Sequence, residues 1–174
     1  WSALGEKQRA LDYYEQALTL YRQVGDKAGE ATTLNNIGLV WSALGEKQRA
    51  LDYYEQALPL SRQVGDKAGE AATLHNIGVV WDDLGEKQRA LDYYEQALTL
   101  RRQVGDKAGE ASTLNNIGVV WYELGETQKA LDLLQAARAI LVQYNLPQDS
   151  GGIKLELYDA LIARLQGGDN SGEE

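Results

Sequence analysis

The chain has 174 residues, no cysteine and a formal net charge of −9. Disulfides and thiolate metal sites are excluded. No basic run could hold a phosphate backbone, so nucleic acid is not an expected partner. No apolar stretch approaches the ~18 residues of a membrane-spanning helix, and a cytoplasmic setting is expected. The chain opens with neither methionine nor signal peptide, so it is expected to be a fragment of something longer.

Residues 1–4, WSAL, read as the last turn of a helix that Gly5 ends, as glycine does after a helix. A helix is predicted over 7–24, because Ala10, Leu11, Tyr14, Ala17, Leu18, Tyr21 and Val24 recur at helical spacing. Gly25 stops it. Asp26 is placed to cap the next helix through its free N–H groups, and Glu30 adds negative charge near that positive end. The next helix, 27–44, has the core stripe Ala31, Leu34, Ile37, Gly38, Trp41 and Leu44. Glycine inside a helix costs about 1 kcal/mol relative to alanine, so Gly38 points to close approach by a neighbouring helix. Trp41 is expected to bury roughly 150–250 Å², which contributes several kcal/mol at ~25 cal/mol per Å².

The same pair follows at 47–64 and 67–84, then at 87–104 and 107–124. Pro59 removes one helix hydrogen bond and is expected to bend the end of its helix. The last pair has Leu133 and Leu134 where earlier copies have two tyrosines. Pro147 breaks the chain there, with Asp149 or Ser150 as the expected cap of a final helix over about 152–166. Ile153, Leu157, Tyr158, Leu161 and Leu165 lie on one side of that helix. An array needs such an end piece with one wet face. The expected organisation is tandem repeats over 1–145, a capping helix over 146–166 and a disordered acidic tail over 167–174.

Trp1, Trp41, Trp81 and Trp121 mark a period of 40 residues, as do Gly5, Gly45, Gly85 and Gly125. Such a period marks a stacked repeat array. Leu34, Ile37, Gly38 and Trp41 in the first helix, with Gly45, Ala50, Tyr54 and Ala57 after it, resemble the tetratricopeptide repeat. The usual repeat is about 34 residues, and Arg62 stands where the family has a proline. The long units resemble those of kinesin light chains, of polarity adaptors with asparagine-lined grooves, and of arrays on signalling ATPases. The resemblance implies an all-α, right-handed solenoid of antiparallel helix pairs, whose first helices line a concave peptide-binding groove.

The first three units differ on their first helices at Thr32/Ala72/Ser112, Asn35/His75/Asn115, Leu39/Val79/Val119, Ser42/Asp82/Tyr122 and Ala43/Asp83/Glu123. These steps make one stripe, which the resemblance places in the groove. Either a binding surface has diversified or duplicated copies have drifted. Asn36, Asn76 and Asn116 repeat unchanged beside Asn35 and Asn115. Amides offer donor and acceptor, so they could pair with an extended peptide or tie neighbouring helices. Asp82, Asp83 and Glu123, near Tyr122, would favour a basic residue.

The expected function is a protein-interaction scaffold for an extended, neutral to basic segment, without cofactor or metal. The alternative is a structural spacer or stacking arm with no ligand of its own. No phosphate-binding loop or hydrolase motif supports an enzyme, and His75, the one histidine, reads as a surface residue. Leu11, Tyr14 and Leu18 are expected to be partly exposed at an uncapped start, which would favour end-to-end self-association.

Overall fold

The computed structural model describes residues 3–168, which form eight helices. They are α1 (Ala3–Val24), α2 (Lys27–Ala43), α3 (Lys47–Val64), α4 (Lys67–Asp83), α5 (Lys87–Val104), α6 (Lys107–Glu123), α7 (Thr127–Gln143) and α8 (Leu155–Gly168). The chain divides within α5 into two compact units, 1–97 and 98–174.

Two glycine turns set the beat. Gly25, Gly65 and Gly105 have φ of 71–75°, and Gly45, Gly85 and Gly125 have φ of 81–82°. A side chain at such φ is strained, so glycine ends the helix there. Each longer-helix end is followed by an aspartate cap. Asp26, Asp66 and Asp106 accept the N–H of Gly29, Gly69 and Gly109 at 2.8–2.9 Å, as the sequence predicts.

In the first unit α1 packs on α2, α2 on α3, α3 on α4, and α2 also meets α4. Leu11, Leu18, Leu34, Ile37 and Ala57 form one core; Ala50, Leu51, Tyr54, Ile77 and Val80 form the next. Trp41 packs against both and is half-buried, with the Arg49 guanidinium 4.7 Å above its ring. Arg89 lies 4.5 Å over Trp81 in the same way. In the second unit α6 packs on α7 and α7 on α8, around Leu114, Ile117, Val120, Leu131, Leu134, Leu141, Tyr158 and Leu165.

Several expectations are corrected. Gly5 ends nothing: α1 runs from Ala3 through it. Glycine breaks a helix only where the fold demands left-handed φ, and otherwise is a modest cost in a first turn. Residues 1–2 lie outside the described residues. Leu11 and Leu18 are buried beneath α2, and Tyr14 is half-buried. Among the described side chains of α1 the exposed large apolar ones are Tyr13, Leu20 and Val24, so Val24 does not belong to the core stripe. Helix α8 starts at Leu155, so neither Asp149 nor Ser150 caps it, and it extends through 167–168 of the expected tail. Residues 169–174 lie outside the described residues. Leu157 of α8 is exposed rather than packed.

Ion pairs clamp the turns before α2 and α6. Glu30 accepts from Arg22 Nε and Lys27 Nζ, both at 2.8 Å, and Glu110 does so from Arg102 and Lys107, also at 2.8 Å. The Lys27 and Arg22 hydrogen bonds hold the Glu30 carboxyl below its ordinary range. At Glu110, burial pushes the carboxyl up, and the Lys107 and Arg102 bonds outweigh it, so its pKa is also lowered. A depressed folded pKa stabilises above the unfolded carboxylate value of about 4.3. That contribution is lost as pH falls through the folded value. Glu30→Gln with Glu110→Gln is therefore expected to narrow the gap between urea midpoints at pH 7 and pH 3. An unchanged gap would show that these clamps carry no acid sensitivity.

Candidate protein-binding face

The candidate stripe lies on the A helices, α2 and α4 in the first unit and α6 in the second. On α2 and α4 the helix turns bring Thr32, Asn35, Asn36 and Leu39 beside Ala72, His75, Asn76 and Val79. Thr32 and Leu39 are exposed; Asn35, Asn36, Ala72, His75, Asn76 and Val79 are half-buried. The two helices are tied by amides. Asn76 Nδ2 donates to Asn35 Oδ1 at 3.1 Å, and Thr73 Oγ1 donates to the same oxygen at 3.3 Å. Asn35 is thus a strut between repeats. His75 lies with its ring centroid 5.4 Å from that of Tyr94, tilted across it.

The acidic end of this stripe is already paired. Lys87 Nζ donates to Asp82 Oδ1 at 2.6 Å, and Lys47 pairs with Asp83. Lys47 also donates to the Ser42 carbonyl at 3.3 Å, and Lys7 to the Ala43 carbonyl at 2.7 Å. These lysines neutralise the negative C-terminal ends of α2 and α4. The carboxylates are therefore less available to a basic ligand than the sequence suggests.

In the second unit the stripe is partly covered. Ser112 and Asn115 are each 4% exposed. A Cβ on Gly151 would stand 3.1 Å from Ser112 Oγ, and Ser150 N donates to the Ala108 carbonyl at 3.1 Å, so the turn before α8 lies against α6. Asn115 Nδ2 donates to Asn116 Oδ1 at 3.3 Å, while Asn115 Oδ1 is buried without a partner among the described residues. The donors that serve Asn35 are Thr73 and Asn76; 40 residues beyond Thr113 and Asn116 stand Ile153 and Glu156. Val119, Tyr122 and Glu123 remain exposed. They line a cleft of about 260 Å³ with Leu134 of α7 and Leu161, Arg164 and Leu165 of α8.

Two features escape a reading confined to the first helices. One is the variable position Tyr21/Ser61/Arg101 at the end of α1, α3 and α5, the second or B helices of the pairs, visible by aligning the second helices as well. The other is a buried polar cluster under the C-terminal turn, in which Asp149, 2% exposed, accepts from Gly151 N, Ile153 N and Tyr158 Oη. Among the described residues no cluster of His, Cys, Asp and Glu could hold a metal, and no helix is long and apolar enough to cross a membrane.

The likeness to known proteins follows this geometry. BtubC (BKLC) from P. vanneervenii superposes with a TM-score of 0.75 at 20% identity, over 98% of this chain and 77% of that one. A Rap protein complexed with competence and sporulation factor gives 0.70 at 22%, over 82% and 40%. A signal transduction ATPase with numerous domains from Pyrococcus horikoshii, which has a tetratricopeptide repeat sensor, gives 0.77 at 17%, over 97% and 25%. At these identities the likeness is one of fold. No match to a curated protein is found. The sequence model of the tetratricopeptide repeat matches residues 2–63 and 70–141, and with the paired helices and the left-handed glycine turns this places the chain in the tetratricopeptide repeat family.

Proposed function

We propose that the chain is a protein-interaction scaffold that holds an extended, neutral to basic segment along the inner stripe of α2 and α4. The observation that carries this reading is the Asn36 amide. It is half-buried on the stripe and forms no side-chain hydrogen bond with any other described residue. Beside it, Asn76 spends its Nδ2 on Asn35, which turns its carbonyl oxygen away from that contact. Together they offer a main chain donors and an acceptor, between the shallow apolar contacts of Leu39 and Val79. The Rap neighbour, complexed with competence and sporulation factor, is a precedent on this fold. In the second unit, Asn116 is half-buried and Val119, Tyr122 and Glu123 are exposed on α6.

Asn36→Ala with Asn76→Ala is expected to weaken captured segments by roughly 1–3 kcal/mol. Calorimetry on a partner recovered by pull-down measures this. Binding should fall only modestly with salt, because few charges meet. Equal affinity of parent and variant would remove the amide mechanism. A stacking arm is the second reading, favoured by α1. Tyr13 and Leu20 are exposed there, whereas their counterparts Tyr53, Tyr93, Leu60 and Leu100 are half-buried.

A further inference from the structure

The end of each B helix presents one side chain to the start of the following A helix, and the three copies fill that space differently. Tyr21 lays its ring against Gly29. Arg101 runs along Gly109, where a Cβ would stand 2.9 Å from its Cδ; its guanidinium donates to the Gly109 carbonyl and lies 3.9 Å from Asp106 Oδ2. In the middle copy the position is Ser61, and the three atoms nearest a Cβ on Gly69 all belong to Asp66. The result is a cavity of about 140 Å³ lined by Ser61, Asp66, Gly69, Thr73, Asn35 and Thr32, among others. That is roughly ten times the ~10–15 Å³ that one water requires. Ser61 is 2% exposed, and its hydroxyl has no partner among the described residues. Thr32 and Asn35 belong to the candidate face, so the cavity opens there.

We propose that this cavity receives an arginine side chain presented by the bound segment, a reading that rests on the scaffold function above. The chain itself supplies the precedent. Arg101 occupies the matching space with a glycine carbonyl as its acceptor and the aspartate cap as a nearby counter-charge, and Gly69 and Asp66 stand in the same places. The flanking cations do not forbid it: Arg62 is held by Glu70 at 2.7 Å, as Arg102 beside Arg101 is held by Glu110 at 2.8 Å. A net charge of −9 also favours a cationic ligand. Tyrosine fills the first copy's space, but there the ring packs as an apolar body and uses neither group.

The test uses blocked alanine peptides with a central arginine, lysine, tyrosine or alanine, titrated into the full chain and followed by amide NMR shifts. The arginine peptide is expected to move the Gly69 and Thr73 amides and to bind at least ~10-fold more tightly than the alanine peptide. Ser61→Arg fills the space from within, as Arg101 does, and should abolish that preference. Asp66→Asn keeps a competent helix cap and should reduce it. The proposal is overturned if the tyrosine peptide binds best, or if the preference survives in both variants. Shifts at Asn36 and Asn76 with no preference among peptides would remove this pocket but leave the binding face standing. No shift at either place would overturn both.

Discussion

Gly38→Ala and Gly78→Ala are expected to destabilise the fold, while Gly118→Ala should leave it unchanged or more stable. A Cβ at Gly38 would stand 2.5 Å from Tyr54 Cε1, and one at Gly78 would stand 2.7 Å from Tyr94 Cδ1. Neither ring can retreat, since Tyr54 and Tyr94 are 0% and 1% exposed. Overpacking of this kind costs about 1–3 kcal/mol, occasionally more, against a helix-propensity gain of about 1 kcal/mol. At Gly118 the nearest atoms are the Ala130 carbonyl at 3.4 Å and Leu133 and Leu134 at 3.5 Å, which is ordinary contact, so the propensity gain stands alone. The rings explain the glycines: the B-helix tyrosine takes the space that an A-helix side chain would need. Tyr54→Leu should therefore absorb much of the Gly38→Ala cost, with a coupling of roughly 1–2 kcal/mol in a double-mutant cycle. Urea denaturation measures all four species. Equal effects at Gly38 and Gly118 would show that ring contact is not what keeps glycine there.

The repeat period, the helix pairs and the aspartate caps were legible because each rests on local chemistry repeated in phase. Asp26, for example, needs only its own turn to cap α2. Legibility failed where a tertiary neighbour decides. The same glycine that ends α2 at Gly45 lies inside α1 at Gly5. Lys47, Gln48 and Arg49, which look like idle solvated positions, are not: Lys47 pairs with Asp83, Gln48 donates to Asp52 at 3.1 Å and Arg49 covers Trp41. Their sameness from copy to copy therefore has a structural cause. The stripe was legible as a set of positions. That Asn35 is a strut and Asn115 is buried depends on which residues follow 40 positions later, and in the last copy on the turn that replaces a repeat.

Asp149→Ala is expected to undock the C-terminal turn and α8 from the second unit, at a cost of roughly 3–5 kcal/mol, comparable with breaking a buried charged pair. Asp149 holds three donors: Gly151 N at 2.9 Å, Ile153 N at 2.9 Å and Tyr158 Oη at 2.6 Å. Its charge also supports Arg101, whose pKa is lowered by burial and raised back in part by Asp106 and Asp149. Alanine would leave the turn's N–H groups without their acceptor and Arg101 with one counter-charge fewer. Tyr158→Phe removes the phenol bond to the carboxylate and the longer contact with the Ala111 carbonyl at 3.4 Å, so it should cost about 1.5–3 kcal/mol. Burial, the Asp149 hydrogen bond and its charge hold that phenol well above its ordinary pKa, so it remains a donor through neutral and mildly alkaline pH. Asp149→Asn should fall between, because its carbonyl can still accept from Gly151 N and Ile153 N while the charge beside Arg101 is lost. Hydrogen exchange reads the outcome directly. Amides of α8 should lose protection in the order Asp149→Ala, Asp149→Asn, Tyr158→Phe, with α2 and α3 unaffected. Parent-like protection of α8 in Asp149→Ala would mean that the apolar packing of Tyr158 and Leu165 and the Arg138–Asp159 ion pair hold the cap without it.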